Sequence, residues 1–236
     1  MKLASFERHG VAGFGWVRDE GVVDLRAALG GRYADLRSLL EADALDEVRA
    51  VGSRPADFPL SEVTLLPVIP NPGKIWCAGL NYGEHVQETG RQITEQPTLF
   101  LRVADSQVGH GVAIVRPPES VKLDYEGEIA VVIGKPGRRI AEADSWGHIA
   151  GYACYNDGSV RDWQVHTSQW GPGKNFWRTG GFGPWMVTAD EIPAGTEMTL
   201  VTRLNGTEVQ RATTAQLIHS IPRLIAYAST VAPLRA

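Results

Sequence analysis

Leu123-Asp-Tyr-Glu-Gly-Glu-Ile-Ala-Val-Val-Ile-Gly134 leads two carboxylates, Glu126 and Glu128, straight into an apolar run. In an extended strand, side chains two residues apart point to one face and lie roughly 6.5–7 Å apart. Glu126 and Glu128 therefore share a face that continues as Ala130 and Val132, while Tyr125, Gly127, Ile129, Val131 and Ile133 form the other. Both faces turn apolar, which predicts a strand buried on both sides except at its start. Two carboxylates at that spacing repel by about 2.4 kcal/mol at an effective dielectric of about 20, before desolvation is added. A buried pair needs a cation, whereas a solvated strand end needs nothing, and E-x-E alone does not decide between them. Gly127 lets some other group approach the backbone closely.

Outward from this stretch the chain is rich in strand patterns. Segments 75–79, 98–103, 113–115, 123–133, 149–155, 185–187 and 198–204 read as strands. Asn205-Gly206 is a two-residue hairpin turn and predicts that 198–204 pairs with 207–212. Helical patterns fall at 141–148, at 221–231 and in a short segment beginning near Asn81. Before residue 70 come short strands at 2–6, 13–17 and 21–24 and a helical pattern over 36–50. The VIPNPG stretch at 68–73, with its prolines, asparagine and glycine, reads as a linker. The expected architecture is mixed α/β and β-rich, a small α/β domain over 1–70 followed by a catalytic domain over 71–236.

With 236 residues, 43% of them hydrophobic, and a formal charge of -4, the chain gives no electrostatic reason to expect nucleic acid or an anionic membrane as partner. The six histidines form no zinc-type cluster with cysteine. Cys77 and Cys154 lie in apolar stretches and read as buried free thiols, a disulfide being the alternative. The amino terminus has no apolar core of signal-peptide length, and no run reaches the length of a membrane span. A cytoplasmic protein is expected.

Three further constellations carry chemistry. In Gly79-Leu-Asn-Tyr-Gly-Glu-His-Val-Gln-Glu-Thr-Gly90, Asn81 can cap a helix with Glu84 as its box partner. His85 and Glu88 then share a helical face, where a carboxylate can polarise an imidazole as a general base; a surface His–Glu pair is the plainer reading. In Gly151-Tyr-Ala-Cys-Tyr-Asn-Asp-Gly-Ser-Val-Arg-Asp-Trp-Gln164, Asp157 closes a strand and is either a third oxygen ligand beside the glutamates or an Asx-turn residue. In Gly171-Pro-Gly-Lys-Asn-Phe176, Lys174 is either a solvated loop lysine or an ammonium aimed at a developing oxyanion.

These pieces, in this order, resemble the fumarylacetoacetate hydrolase family. The stretches that carry the resemblance are GLNYGEHVQE, PTLFLR, LDYEGEIAVVIGK, IAGYACYNDGSVRDWQ, GKNF, FGPWMVT, LNGTEVQ and IPRLIAYAS, spread over about residues 70–236. The resemblance implies a β-roll (mixed β-sandwich or barrel) catalytic domain and a homodimer. It implies Glu126, Glu128 and Asp157 as ligands of a divalent metal, His85 and Glu88 as a water-activating dyad, and Lys174 as the group stabilising negative charge. Gln164 falls at a substrate contact, with Asn81 and Arg102 as further pocket-lining candidates and Arg161 as a loop brace beside the substrate. Three carboxylates and no soft ligand suit Mg²⁺ or Mn²⁺, with Ca²⁺ an option.

The implied reaction is hydrolysis of a C–C bond in a 2,4-diketo acid such as an acylpyruvate or fumarylpyruvate. Water activated by the His–Glu pair attacks the distal carbonyl, and the metal stabilises the enolate that leaves. The alternatives on the same fold are an oxaloacetate-type decarboxylase, a hydroxydienedioate isomerase, a 2-keto-3-deoxy sugar-acid dehydratase or hydrolase, and a non-catalytic member that binds a small dicarboxylic or 2-keto acid. Two departures from the family pattern stand out. Arg102-Val103 replaces the Lys-Pro common in members, and the sequence stops at Ala236, ahead of the strand and Thr-Gly-Thr-Pro loop with which members continue. A missing C-terminal strand and loop, and an effect on activity, are expected from that.

Overall fold

The computed structural model describes residues 1–19, 21–82 and 94–236. Its first strands, β1 (Lys2–Arg8), β2 (Val11–Arg18) and β3 (Gly21–Asp24), form an antiparallel meander. Two short strands, β4 (Phe58–Pro59) and β5 (Thr64–Leu65), pair with β3 and β1. Between them lie α1 (Leu25–Ala28), α2 (Leu36–Glu41) and α3 (Leu45–Ala50). The helical pattern over 36–50 is thus two helices, because Asp43 adopts φ 54° between them. Asp35 starts α2 by accepting the Ser38 N–H at 2.7 Å.

The remaining strands are β6 (Ile75–Gly79), β7 (Thr98–Arg102), β8 (Gln107–Val108), β9 (Leu123–Asp124), β10 (Gly127–Ile133), β11 (Ile149–Asn156), β12 (Ser159–Val160), β13 (Gly180–Phe182), β14 (Met186–Thr188), β15 (Thr199–Leu204) and β16 (Thr207–Thr213). A ten-stranded sheet runs β4-β3-β2-β1-β14-β11-β13-β8, with β10 on β11 and β5 on β1. It therefore joins the first 70 residues to the rest: Lys2 lies opposite Val187 and Leu3 opposite Met186. One apolar core mixes Leu3, Phe14, Leu36 and Leu40 with Val132, Ala150, Phe182 and Met186. The proline-rich stretch expected as a linker is tied down. Val68 and Ile69 are buried in that core, and the Asn71 amide donates to Asp35 at 2.8 Å.

The strand expected over 123–133 is interrupted. β9 and β10 flank Tyr125 and Glu126, which lie outside both. Beyond them both faces pack against apolar neighbours, but only Val132 is fully buried and the rest are partly so. Ala130 and Val132 pack into the first core, while Ile129, Val131 and Ile133 pack into a second with Tyr152, Ile221 and Ile225. Ile221 and Ile225 belong to the C-terminal helix α6 (Ile221–Val231), which follows two short helices, α4 (Arg161–Gln164) and α5 (Gly171–Lys174). Segment 113–115 carries no strand; it runs into Pro117 and Pro118, which cannot donate to a ladder. Residues Glu142–His148 form a 3₁₀ segment, which suits a stretch containing Gly147 and Asp144.

Candidate active site

Strand register brings the carboxylates together. β10 and β11 pair antiparallel with Gly127 opposite Asn156 and Glu128 opposite Tyr155. One step further, the Asp157 N–H donates to the Glu126 carbonyl at 2.8 Å, so these two residues also face each other. Opposed residues project to the same side. Glu126, Glu128 and Asp157 consequently emerge on one face, although they are up to 31 positions apart in the chain.

Their neutralisation is uneven. Asp157 is 3% exposed, and each of its oxygens has its own cation: Arg102 Nη1 at Oδ1, and Lys174 Nζ at Oδ2, 2.8 Å away. Lys174, 1% exposed, also donates to Glu126 Oε2 at 2.7 Å and sits 5.0 Å from the centroid of the Phe100 ring. Arg161 reaches Glu126 Oε1 and binds Asp124 Oδ2 at 2.8 Å. The Glu128 side chain, partly buried, makes no hydrogen bond or ion pair among the described residues. Burial, then the Glu126 and Asp157 charges, push its carboxyl up to about 8, against the opposing pull of Lys174.

Carboxylate oxygens gathered on one face, one of them without a partner among the described residues, are the donor type that a hard divalent cation takes. The paired oxygens keep lone pairs free beyond their hydrogen bonds, so pairing does not bar ligation. Among the described residues, no three His, Cys, Asp or Glu side chains stand close enough to coordinate an ion as they are. The Lys174 ammonium spans Glu126 and Asp157.

The other candidates take different places. Arg161 donates to Gln164 Oε1 at 3.2 Å, so Gln164 is held at the edge of the cluster and Arg161 braces both it and Glu126. Arg102 lies behind Asp157, 2% exposed, and not along an open wall. Asn81 is also buried, and both ends of its amide are spent on the His219 backbone, at 2.9 and 2.8 Å. His85 and Glu88, with the box partner Glu84, lie outside the described residues. Gly127 does make room, but for the β15–β16 hairpin. A Cβ there would stand 2.0 Å from Thr202 Oγ1, and the Gly127 N–H donates to Gln210 at 3.1 Å.

Sequence reasoning missed two neighbours. Tyr82 has its hydroxyl pushed up to about 12 by burial and then by Glu128, so it stays protonated beside the carboxylates. Cys77, in β6, has a thiol held well above its usual range by burial and then by Asp157. Neither the GLNY nor the IWCAG pattern signals this, because long-range folding makes these contacts. Both cysteines are free, but Cys154 is exposed, unlike the buried thiol expected from its apolar flanks.

A family model described as Fumarylacetoacetate (FAA) hydrolase C-terminal matches residues 74–236. The mitochondrial oxaloacetate tautomerase FAHD2A of Homo sapiens is 37% identical over 183 residues, 77% of this chain and 58% of that protein. The match thus spans less than two thirds of the human relative. Among solved structures, a putative HpcE protein from Mycobacterium smegmatis is 32% identical with a TM-score of 0.88, covering 100% of this chain and 83% of that one. A maleylpyruvate hydrolase from Sphingobium sp. SYK-6, in complex with manganese (II) ion and pyruvate, is 27% identical with a TM-score of 0.81, over 100% and 85% of the two chains. The strand-rich mixed α/β architecture is common to these structures and this chain. No described helix is long and apolar enough to cross a membrane.

Proposed function

The chain belongs to the fumarylacetoacetate hydrolase family, and on that premise we propose that it is a divalent-metal-dependent enzyme that acts on a small 2-keto acid through its enolate. The observation that carries this reading is Glu128, a carboxylate with no described partner beside two that are fully paired. Glu126, Glu128 and Asp157 would hold Mg²⁺ or Mn²⁺, with Ca²⁺ an alternative. Such an ion would supply Lewis acidity toward the carboxylate and keto oxygens of the substrate. The manganese and pyruvate in the maleylpyruvate hydrolase support that choice.

The finer proposal is hydrolysis of a C–C bond in a 2,4-diketo acid. His85, oriented by Glu88, removes a proton from water, and the hydroxide attacks the distal carbonyl carbon. The bond between that carbon and its neighbour breaks, leaving the electron pair in an enolate that takes up a proton to give the 2-keto acid. Lys174, desolvated and fixed by two carboxylates, is a preorganised positive charge for the oxygen that becomes negative. Arg161 keeps Glu126 and Gln164 aligned at the edge.

One observation favours a second reading. The human relative is an oxaloacetate tautomerase, and keto–enol exchange uses the same enolate without an attacking water. The decisive assay offers acylpyruvates, fumarylpyruvate and oxaloacetate to the protein with Mn²⁺ or Mg²⁺. It follows loss of the enol absorbance and appearance of the cleaved acid. Cleavage lost in His85→Ala supports the hydrolase, and enol decay without cleavage supports the tautomerase. Turnover of none of them, with any of the metals, refutes the proposal. A homodimer is part of it, checked by sedimentation.

A further inference from the structure

Beneath the carboxylates lies a closed polar layer. Arg102 Nε donates to Ser106 Oγ at 3.3 Å, Nη1 to Asp157 Oδ1 and to the Gly158 carbonyl at 3.0 Å, and Nη2 to Thr179 Oγ1 at 2.9 Å. The Ser106 hydroxyl donates to the Val103 carbonyl at 2.8 Å and accepts from Gln107 Nε2 at 2.7 Å. Gln107 Oε1 in turn accepts from the Tyr155 hydroxyl at 2.6 Å. Ser106 and Thr179 are 0% exposed and Gln107 7%. Gly180 completes the fit, since a Cβ there would come within 2.9 Å of Arg102 Nη2 and 2.8 Å of Gln107 Oε1.

Every nitrogen of the guanidinium is therefore committed to the protein, and its plane is fixed from three sides. A planar fork held this way orients a carboxylate, where a lysine ammonium would only attract it. We propose that Arg102 is a positioning residue that locks Asp157 through Oδ1 and so presents Oδ2 to Lys174 and to the cation. This rests on the metal reading above. It removes Arg102 from the substrate wall and makes the buried layer part of the site's affinity for metal.

The test is Mn²⁺ titration calorimetry, with melting of the metal-free proteins recorded alongside, on wild type, Arg102→Met, Arg102→Lys and the double variant Ser106→Ala/Thr179→Val. Arg102→Met should weaken Mn²⁺ binding about 10–100-fold, in line with the loss of other partners behind metal ligands. Arg102→Lys should recover only part of it, having the charge but not the fork. The double variant, which keeps the charge and loosens the plane, should lose affinity to a lesser degree. The Mn²⁺ concentration for half-activity should rise in the same order as the loss of affinity. A purely structural arginine would lower the metal-free melting temperature and leave Mn²⁺ affinity unchanged; that result in folded Arg102→Met overturns the proposal. If Arg102→Met does not fold, unchanged affinity in the double variant overturns it equally. Absence of Mn²⁺ binding by wild type refutes the metal reading itself, and this inference with it.

Discussion

Asp157 and Glu128 stand on one face of one strand pair and are treated in opposite ways. Asp157 is buried, with a cation on each oxygen. Glu128 has none among the described residues, and its carboxyl is pushed up to about 8. The difference shows where the fold uses its own charges. Arg102, Lys174 and Arg161 neutralise Asp157, Glu126 and Asp124 and make the inner wall rigid. On the proposed metal reading, Glu128 is the carboxyl whose proton an incoming cation displaces.

Removing the paired carboxylate should have the largest effect. Asp157→Asn leaves the buried Arg102 without a carboxylate and Lys174 with Glu126 alone, and a broken buried pair costs about 3–5 kcal/mol, which urea unfolding of the metal-free protein will read. If stability is unchanged, the inner wall is not held by charge as described. Gly127→Ala comes next. Its methyl group would displace Thr202 and the hairpin, with a cost of about 1–3 kcal/mol typical of overpacking. Equal stability there would mean that the hairpin is not seated on β10.

A third prediction concerns pH. The unfolded chain releases the Glu128 proton near 4.5, while the folded protein keeps it to about 8. Across that window the folded state binds more protons, so this group makes metal-free stability fall as pH rises. Metal binding must expel the proton, so affinity should rise with pH up to about 8 and level off above it. A flat affinity profile would remove Glu128 from the ligand set. The smallest effect is chemical: iodoacetamide should label the exposed Cys154 and spare Cys77, whose thiol is held neutral by burial. Mass spectrometry of the modified protein checks it.

Much of this was legible in the residues. The Asn205-Gly206 turn, with φ of 51° and 83°, joins β15 to β16 as its chemistry requires. The two apolar faces of β10 follow from simple alternation. What alternation could not supply was register. Glu126 faces Asp157 because β10 and β11 pair with a particular offset, and no local pattern encodes that offset. The same limit explains Gly127, whose missing side chain admits the distant Thr202 and not the site. It explains Arg102 as well: an arginine at a strand end looks exposed until Thr179, Ser106 and Gly158 close around it.

Glu128, which has no partner among the described residues, is the group proposed to take the cation. The most direct test is Mn²⁺ titration calorimetry at pH 7 on wild type and Glu128→Gln, with the proton release measured in two buffers. Wild type should bind at one site with release of about one proton, and Glu128→Gln should lose that binding with metal-free stability kept or raised. Equal Mn²⁺ affinity in the two proteins would contradict that role for Glu128.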